Sequence, residues 1–412
     1  MQAVLNAGTA FSPLDEELGL LPGRYTPRLQ ESMVRLGAKL PYRQAQEELV
    51  YFCHTQVGEK TIRDETKEAG SAREAYEQAE VAALEKEAPA PKARPNKMLF
   101  SGDGAFVPLI SGEWREVKTL VLGEFDTVAN AKGEPEVRTE EISYFSRSYR
   151  AREFERSALI ETHRRGVENA EEVVAVNDGA EWLQNLVTCH APNAVRILDF
   201  PHAQGYVADA GKAWFGENSS EFSTWFKRAS HDLKHTPPKV TLTRLRELHQ
   251  QAQGQREKQE VIAQSLAYLS KRTALIDYPH FVDLQFPIGS GSVESGNKLV
   301  MQSRMKQAGM RWHPENVDPM LTLRCLICND RWREGWREIV HFRQEQRLLS
   351  RQHRTQQRRT TPQVVPNSQI DPVNTPSTIP TPPPKPPKSK QPYRPPADHP
   401  WRKPFLNKAA FN

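Results

Sequence analysis

The sequence predicts an α/β catalytic domain that follows a small helical module and precedes a long Pro-rich tail. Residues 98–200 alternate between strand-like runs of β-branched and apolar residues and amphipathic, helix-like segments, which is typical of an α/β fold. Residues 203–285 are helix-like throughout, and fifteen of the chain's 32 prolines fall in residues 360–412. A chain of 412 residues is long enough for two domains with tails.

The chain begins with an irregular leader, residues 1–30, which carries Gly, Pro and few apolar positions at regular spacing. Residues 31–70 then have apolar side chains at helical spacing, with a break at Gly58, and predict two helices followed by a third short one. This order is compatible with helix-turn-helix DNA binding, and an ordinary three-helix packing module is the alternative. Residues 71–97, rich in Ala, Glu and Lys, predict a helix that runs into a linker.

The catalytic domain is predicted to span residues 98–343. Its elements follow in the order three strands, helix, strand, helix, strand, which is the order of an RNase H-like core. Residues 203–285 read as an all-helical insertion within this domain. Residues 344–412 are basic and Pro-rich, and they predict a largely disordered tail because their composition has too few apolar residues for a core.

Three acidic residues stand where a strand end or a Gly/Ser turn would present a carboxylate. Asp103 lies in MLFSGDGAF and Asp178 in EEVVAVNDGAEW, each after an apolar run and before Gly, so both are predicted at strand ends. Glu294 follows Ser292, which can cap a helix and would place Glu294 in its first turn. Divalent ions such as Mg²⁺ prefer oxygen ligands, so these acids predict a metal-dependent phosphodiester chemistry.

Each of these acids also has a plainer interpretation. Asp103 could belong to an Asp-Gly turn, and Asp178 could cap the helix that begins near Ala180. Asp199 ends another apolar strand and is the rival for the position of the second acid. Glu294 could be a first-turn acid that only interacts with the helix dipole.

Net charge and its distribution favour a polyanionic partner. The formal net charge is +5, and Lys and Arg are concentrated in residues 298–359, as a phosphate-contacting surface requires. Two sets of basic residues are predicted to contact DNA, one on the third helix of the N-terminal module and one just after Glu294. They are Lys60, Arg63 and Lys67, and Lys298, Arg304, Lys306 and Arg311.

Cysteine usage and hydropathy limit the cellular setting. Four cysteines do not make a disulfide scaffold and suit a reducing cytoplasm, and no apolar run approaches the roughly 20 residues of a membrane span. The N-terminus also lacks the basic and apolar regions of a signal peptide. A cytoplasmic protein without a membrane partner is predicted.

Four motifs carry a resemblance to a known family: SGDGAFVPLISGEWREVKTLVLGEF, VAVNDGAEWLQNL, ILDFPHA and PIGSGSVESGNKLVMQSRMKQAGMRW. Through them the chain, from about Leu29 to Arg343, resembles the Asp-Asp-Glu transposases of bacterial insertion sequences, ISKra type, within the mutator-like superfamily. Relatives usually carry more sequence before the helix-turn-helix-like segment, so the resemblance predicts an N-terminally shortened copy, and the Pro-rich tail departs from the family pattern.

The resemblance implies a function and a set of site residues. Asp103, Asp178 and Glu294 would be the catalytic acids that bind two Mg²⁺ ions, with Mn²⁺ as a substitute, and Asp199 and His202 an accessory pair. The partners would be double-stranded DNA, as transposon ends and target, and further copies of the chain in a dimer or larger assembly. A nucleoid-associated bacterial protein is implied. The alternatives are an RNase H-like nuclease without strand transfer and an inactive or truncated transposase-derived DNA-binding protein.

Overall fold

The computed structural model describes residues 25–131 and 133–360. Most of the predicted leader and the tail beyond residue 360 therefore lie outside the described residues. Five strands form one mixed sheet: β1 (Lys97–Pro108), β2 (Trp114–Ala129), β3 (Pro135–Arg147), β4 (Glu172–Asn177) and β5 (Val195–Leu198). Their order across the sheet is β3-β2-β1-β4-β5. The first three strands are antiparallel neighbours, whereas β1 with β4 and β4 with β5 are parallel. The α/β class predicted from the sequence is confirmed.

The sheet is covered by helices on both faces, so its central strands are continuous apolar runs. One face carries Met98, Phe100 and Leu122, which pack against α4 (Ala151–Arg164) and α5 (Glu181–His190). The opposite face supports two separate apolar clusters. Leu99 and Val174 belong to the cluster under the helices that follow β5, and Val107, Val117 and Val121 belong to a cluster with the N- and C-terminal helices.

The N-terminal helices are α1 (Pro27–Lys39), α2 (Tyr42–Cys53) and α3 (Glu59–Lys86). α3 is 28 residues long, so the predicted boundary at residue 70 falls inside one continuous helix. Gly70 lies inside this helix at a point where another element comes very close. A Cβ at this position would be 2.5 Å from the carbonyl oxygen of Pro319, so the glycine permits close packing and does not mark a helix end. These helices and the sheet belong to one compact unit that extends to Gln356.

The stretch between β5 and the third acid is helical, as predicted, but its first helix begins earlier than residue 203. The helices are α6 (Phe200–Phe215), α7 (Ser220–His235), α8 (Pro238–Gln251), α9 (Arg256–Ser270) and α10 (Tyr278–Asp283), with a 3₁₀ turn at Thr273–Leu275. Ala203, Val207, Leu233, Leu245 and Ile262 are buried among them.

The C-terminal part contains α11 (Gly291–Gly296), a π-helical turn (Asn297–Gln302), α12 (Ser303–Met305), a 3₁₀ turn (Pro314–Asn316), α13 (Val317–Cys328) and α14 (Trp332–Thr360). The tail predicted from residue 344 is helical as far as Thr360, so its start was placed too early. The buried Trp332, Trp336 and Ile339 anchor α14, and the Gln, Glu and Arg residues that follow are good helix formers. No helix of residues 25–131 and 133–360 is long and apolar enough to cross a membrane.

The close contact at Gly70 gives a test of how tightly α3 packs on α13. Gly70→Ala is expected to lower the free energy of unfolding by about 1–3 kcal/mol, since the obstructing atoms are backbone and cannot move aside like a side-chain tip. Gly205→Ala is the matched control, because Gly205 also lies in a helix and a Cβ there would meet nothing within 4 Å. That control should gain up to about 1 kcal/mol from helix propensity. Urea denaturation of both variants measures the difference, and equal stability of the two would refute the close packing.

Candidate active site

Asp103 and Asp178 lie at the same level of two neighbouring strands. The parallel pairing of β1 with β4 ends at the pair Gly102–Asn177, and each acid is the next residue along its strand. Asp178 follows the end of β4, as predicted. Asp103 lies inside β1 rather than at its end, because the antiparallel pairing of β1 with β2 continues to Pro108.

Hydrogen bonds between the two strands fix this level of the sheet. The backbone N–H of Gly102 donates to Oδ1 of Asn177 over 2.7 Å, and the hydroxyl of Ser101 donates to the carbonyl of Val176 over 2.8 Å. A side chain at residue 102 would collide with α5, since a Cβ there would lie 2.3 Å from Cδ2 of Leu183. The backbone on either side of the two acids is therefore tightly determined.

Asp103 experiences the charges of both other acids. Burial raises the pKa of its carboxyl above the usual value, and the neighbouring carboxylates of Asp178 and Glu294 raise it further. The backbone N–H of Gly104 and the amide of Asn297 act in the opposite direction, by donating hydrogen bonds at 2.7 and 2.8 Å. The register of β1 with β4 puts Asp103 and Asp178 at the same level of neighbouring strands, and the hydrogen bond from Asn297 to Asp103 brings the segment that carries Glu294 to the same part of the sheet.

Glu294 is the most exposed of the three acids. It lies in the first turn of α11, and 63% of its side chain is accessible. The helix begins earlier than predicted: Ser290 is its N-cap, and Ser292, the expected capping residue, lies inside it. Lys298 approaches the Glu294 carboxylate to 4.0 Å. Among the described residues no three Asp, Glu, His or Cys side chains form a group that could hold a metal ion in the arrangement present.

The turn that carries Asp178 is held by the helical region. Tyr268 donates its hydroxyl proton to the carbonyl of Asp178 over 2.6 Å, and Arg272 donates to the carbonyl of Gly179 over 3.3 Å. The Arg272 guanidinium also lies 3.7 Å above the Tyr268 ring. Gly179 has φ +83°, and a Cβ at this residue would be 2.6 Å from the Tyr268 oxygen. Burial raises the pKa of Tyr268 to about 12, so its hydroxyl remains a donor at neutral pH.

The Asp178 carboxylate has one oxygen committed and one available. Its Oδ1 accepts a hydrogen bond from the N–H of Ala180 over 2.9 Å, which closes the turn before α5. The N-cap of α5 is Ala180, so Asp178 is not the capping residue that the sequence suggested as an alternative. Its Oδ2 has no hydrogen-bond partner in the described residues. The same side chain can therefore close the turn and offer an oxygen to a ligand.

Asp199 has a different environment from the other three acids. It is 6% exposed, and both of its oxygens accept backbone hydrogen bonds, from His202 at 3.0 Å and from Ser290 at 2.7 Å. Asp199 thus caps α6 and ties the loop before α11 to the end of β5. The predicted pairing with His202 occurs through the backbone of His202, while the imidazole ring lies beside Tyr206 and Tyr268.

Of the basic residues predicted to contact DNA, Arg304 is the one that the structure removes from the surface. It is 1% exposed, donates to the carbonyl of Gly37 over 3.0 Å, and lies against the rings of Tyr42 and Trp312. Burial lowers the pKa of its guanidinium. The prediction of a DNA contact at Arg304 is wrong, because the turn after α11 directs residues 304 and 305 into the apolar cluster.

The remaining basic residues after Glu294 are exposed. The Lys306 ammonium lies 5.5 Å from the ring centre of the exposed Trp114, and Arg311 has no ion-pair partner in the described chain. In α3, Lys60 and Arg63 both contact Asp64, and Lys67 lies 3.8 Å from Glu315. The N-terminal set is therefore partly neutralised by acids, whereas Lys306 and Arg311 are not.

Three residues of the site were missed by sequence reasoning: Asn297, Tyr268 and Arg272. Their contacts are with the acids or with the backbone beside the acids, over chain separations that no local pattern reveals. The spacing of Asn297, three residues after Glu294, was the available signal, because residues three apart share a helix face.

Comparisons with known proteins add no assignment. No protein-family model matches this chain, and no curated protein matches it. The functional argument therefore depends on the residues and geometry given above.

Substitution of Asp199 separates a structural acid from a chemical one. Asp199→Ala should lower the free energy of unfolding by about 1–3 kcal/mol, because two backbone N–H groups lose their acceptor in a buried place. Asp209→Ala, an exposed acid on the same helix, should change it by less than about 0.5 kcal/mol. Chemical denaturation measures both. A fully stable Asp199→Ala variant would contradict the capping role.

Proposed function

We propose that this chain is a metal-dependent DNA transposase, with Asp103, Asp178 and Glu294 as its catalytic acids. The observation that carries the proposal is geometric: Asp103 and Asp178 directly follow the last residue pair of the parallel β1–β4 ladder, and Asn297, three residues after Glu294, donates a hydrogen bond to Asp103. The neighbouring carboxylates of Asp178 and Glu294 also add to the effect of burial in raising the pKa of Asp103, and like charges held near one another are not explained by stability alone.

The arrangement of elements supports an RNase H-like core for this function. The strands and helices occur in the chain order predicted from the sequence, with an antiparallel β2 at the centre of β3-β2-β1 and parallel β4 and β5 beyond β1. An all-helical stretch separates the second acid from the third, as an insertion in such a core would. That stretch also contributes Tyr268 and Arg272 to the Asp178 turn.

The donor set at the site suits a hard divalent cation by its chemistry, although the three side chains do not form a metal-holding group in the arrangement present among the described residues. Carboxylate oxygens are the ligands that Mg²⁺ prefers, Mn²⁺ accepts the same ligands, and a cation would offset the repulsion among three acids. Asp103, Asp178 through its available Oδ2, and Glu294 would hold two such ions. Bound, the ions would supply activation of the attacking oxygen and stabilisation of the leaving one.

The chain's own residues define the rest of the reaction. Hydrolysis at each transposon end would free a 3′-hydroxyl, which then attacks a target phosphodiester in the same cleft. The hydrogen bonds from Tyr268 and Arg272 would hold the Asp178 turn in place through both steps. They end on the backbone carbonyls of Asp178 and Gly179, so they do not occupy the Asp178 carboxylate. Exposure of Glu294 would leave room for the DNA strand at that edge.

The proposed partner is double-stranded DNA, at the element ends and at the target. Lys298, Lys306 and Arg311 are exposed beside the third acid and provide phosphate contacts. The use of two ends implies a dimer or a larger assembly on DNA, and the proposed location is the bacterial nucleoid.

The decisive experiment supplies the purified protein with donor DNA ends, supercoiled target DNA and Mg²⁺. A transposase joins donor to target, and sequencing of the joint molecules shows the strand transfer. An RNase H-like nuclease would cut the donor ends without joining them. A DNA-binding protein derived from a transposase would shift the donor DNA in a gel and leave it intact.

Conservative substitution of the acids tests their roles. Asp103→Asn, Asp178→Asn and Glu294→Gln should each reduce end cleavage by more than about 100-fold, since even the partners of metal ligands are worth about 10–100-fold. DNA binding should persist. Asp209→Asn is the control, and it should cleave at the wild-type rate. Normal cleavage by Asp178→Asn together with loss in Asp199→Asn would show that the second acid was misassigned.

The different environments of Lys306 and Arg304 predict opposite consequences of mutation. Lys306→Gln should weaken DNA binding and reduce the slope of log affinity against log salt by about 1, because one phosphate contact is lost. Its stability should not change. Arg304→Gln should instead lower the unfolding free energy. Lys239→Gln, at an exposed residue of α8, is the control for general charge loss. If Lys239→Gln reduced the slope of log affinity against log salt as much as Lys306→Gln does, a specific phosphate contact at Lys306 would be refuted.

A further inference from the structure

Asn297 is a deeply buried polar side chain that contacts Asp103. It is 2% exposed and is the first residue of the π-helical turn that follows α11. A π-helical turn is an uncommon element and often occurs at functional sites. Asn297 follows Glu294 by three residues, so the amide that reaches Asp103 lies about one helical turn from the third acid.

The amide of Asn297 is bonded on one side only. Its Nδ2 donates to Oδ2 of Asp103 over 2.8 Å, while Gly104 donates to Oδ1 of the same carboxylate. Each oxygen of Asp103 thus accepts one fixed N–H donor. The orientation of the amide is the one that an ionised carboxylate selects, because the reversed amide would set two oxygen acceptors against each other.

The other side of the amide has no partner. Oδ1 of Asn297 is buried and accepts no hydrogen bond from the described residues. Leaving a buried acceptor unsatisfied is costly, so such a group in a folded protein calls for an explanation. This carbonyl oxygen belongs to the amide whose nitrogen donates to Asp103, so it lies close to that carboxylate.

Gly296 makes this approach possible. A Cβ at residue 296 would be 2.8 Å from the Tyr144 ring and 3.2 Å from Cγ2 of Val121. The helix therefore lies directly on β2 and β3, and the next residue reaches β1. Any larger residue at 296 would move Asn297 away from Asp103.

We propose that Asn297 is a fourth residue of the acidic site: its N–H orients Asp103, and its unpartnered carbonyl oxygen is a ligand for the divalent cation. The inference rests on the proposed metal-dependent function. It adds a neutral oxygen to a site of three carboxylates, and so supplies coordination without further repulsion.

The test is Mn²⁺ binding by the DNA-free protein, measured by isothermal titration calorimetry. Asn297→Ala should bind Mn²⁺ about 10–100-fold more weakly than the wild type. Asn297→Asp, which keeps an oxygen at the same place, should restore the affinity to at least the wild-type level. Asn297→Asp should also gain more in Tm on Mn²⁺ addition than the wild type, because the cation offsets the new repulsion with Asp103.

Asn329→Ala is the control for structural damage alone. Asn329 exchanges two hydrogen bonds with the backbone of Tyr144 and makes no hydrogen bond to the three acids or to Asn297 within the described residues, so its loss should lower stability and leave Mn²⁺ affinity unchanged. Wild-type affinity in Asn297→Ala, with loss of binding in Asp103→Asn, would overturn the inference and leave the proposed function standing. Absence of Mn²⁺ binding by the wild-type protein would overturn both.

Discussion

The parallel pairing of β1 with β4 is the constraint on which the site depends. Two segments 75 residues apart run in the same direction and stop pairing at Gly102 and Asn177, so the next residue of each is delivered to the same end of the sheet. Parallel strands need a long crossover between them, and here it contains β2, β3 and α4. Neither Asp103 nor Asp178 has to be placed by a flexible loop.

The segment that carries Glu294 is held against the sheet by residues that are distant from it in the sequence. Asp199, at the end of β5, holds the N–H of Ser290, and Phe200 donates to the carbonyl of Ile288, so the loop before α11 is attached to the sheet. Buried Arg324 donates to the carbonyls of Val300 and Leu299 from the other side. A residue that competes with Asp178 in the sequence is thus better explained as a tether for the segment that carries Glu294.

Local pattern and chain topology differ in what they reveal. Strand-like runs, amphipathic helices and the acids themselves are encoded in neighbouring residues, which is why their order could be predicted. The burial of Arg304 could not be predicted, because basic residues in a helical run usually form a solvated face. Arg304 is buried because it donates to the carbonyl of Gly37, which is 267 residues away in the chain. The continuation of α3 past Gly70 could not be predicted for a similar reason. A glycine suggests a helix end, but here it allows the backbone of Pro319, distant in the sequence, to approach the helix. The RNase H-like assignment and the metal site remain predictions.

A glycine lies close in the sequence to each of the three acids, and another element packs closely against each glycine. Residues 102, 179 and 296 lie beside or near Asp103, Asp178 and Glu294, and a Cβ at each would fall 2.3, 2.6 and 2.8 Å from Leu183, Tyr268 and Tyr144. The three contacts come from three different elements: α5, the helical stretch after β5, and β3. Each glycine therefore lets a neighbouring element press on the backbone that carries an acid. The backbone beside each acid is therefore packed closely against another element, while the mutual repulsion of the carboxylates is the effect that the proposed cation would offset.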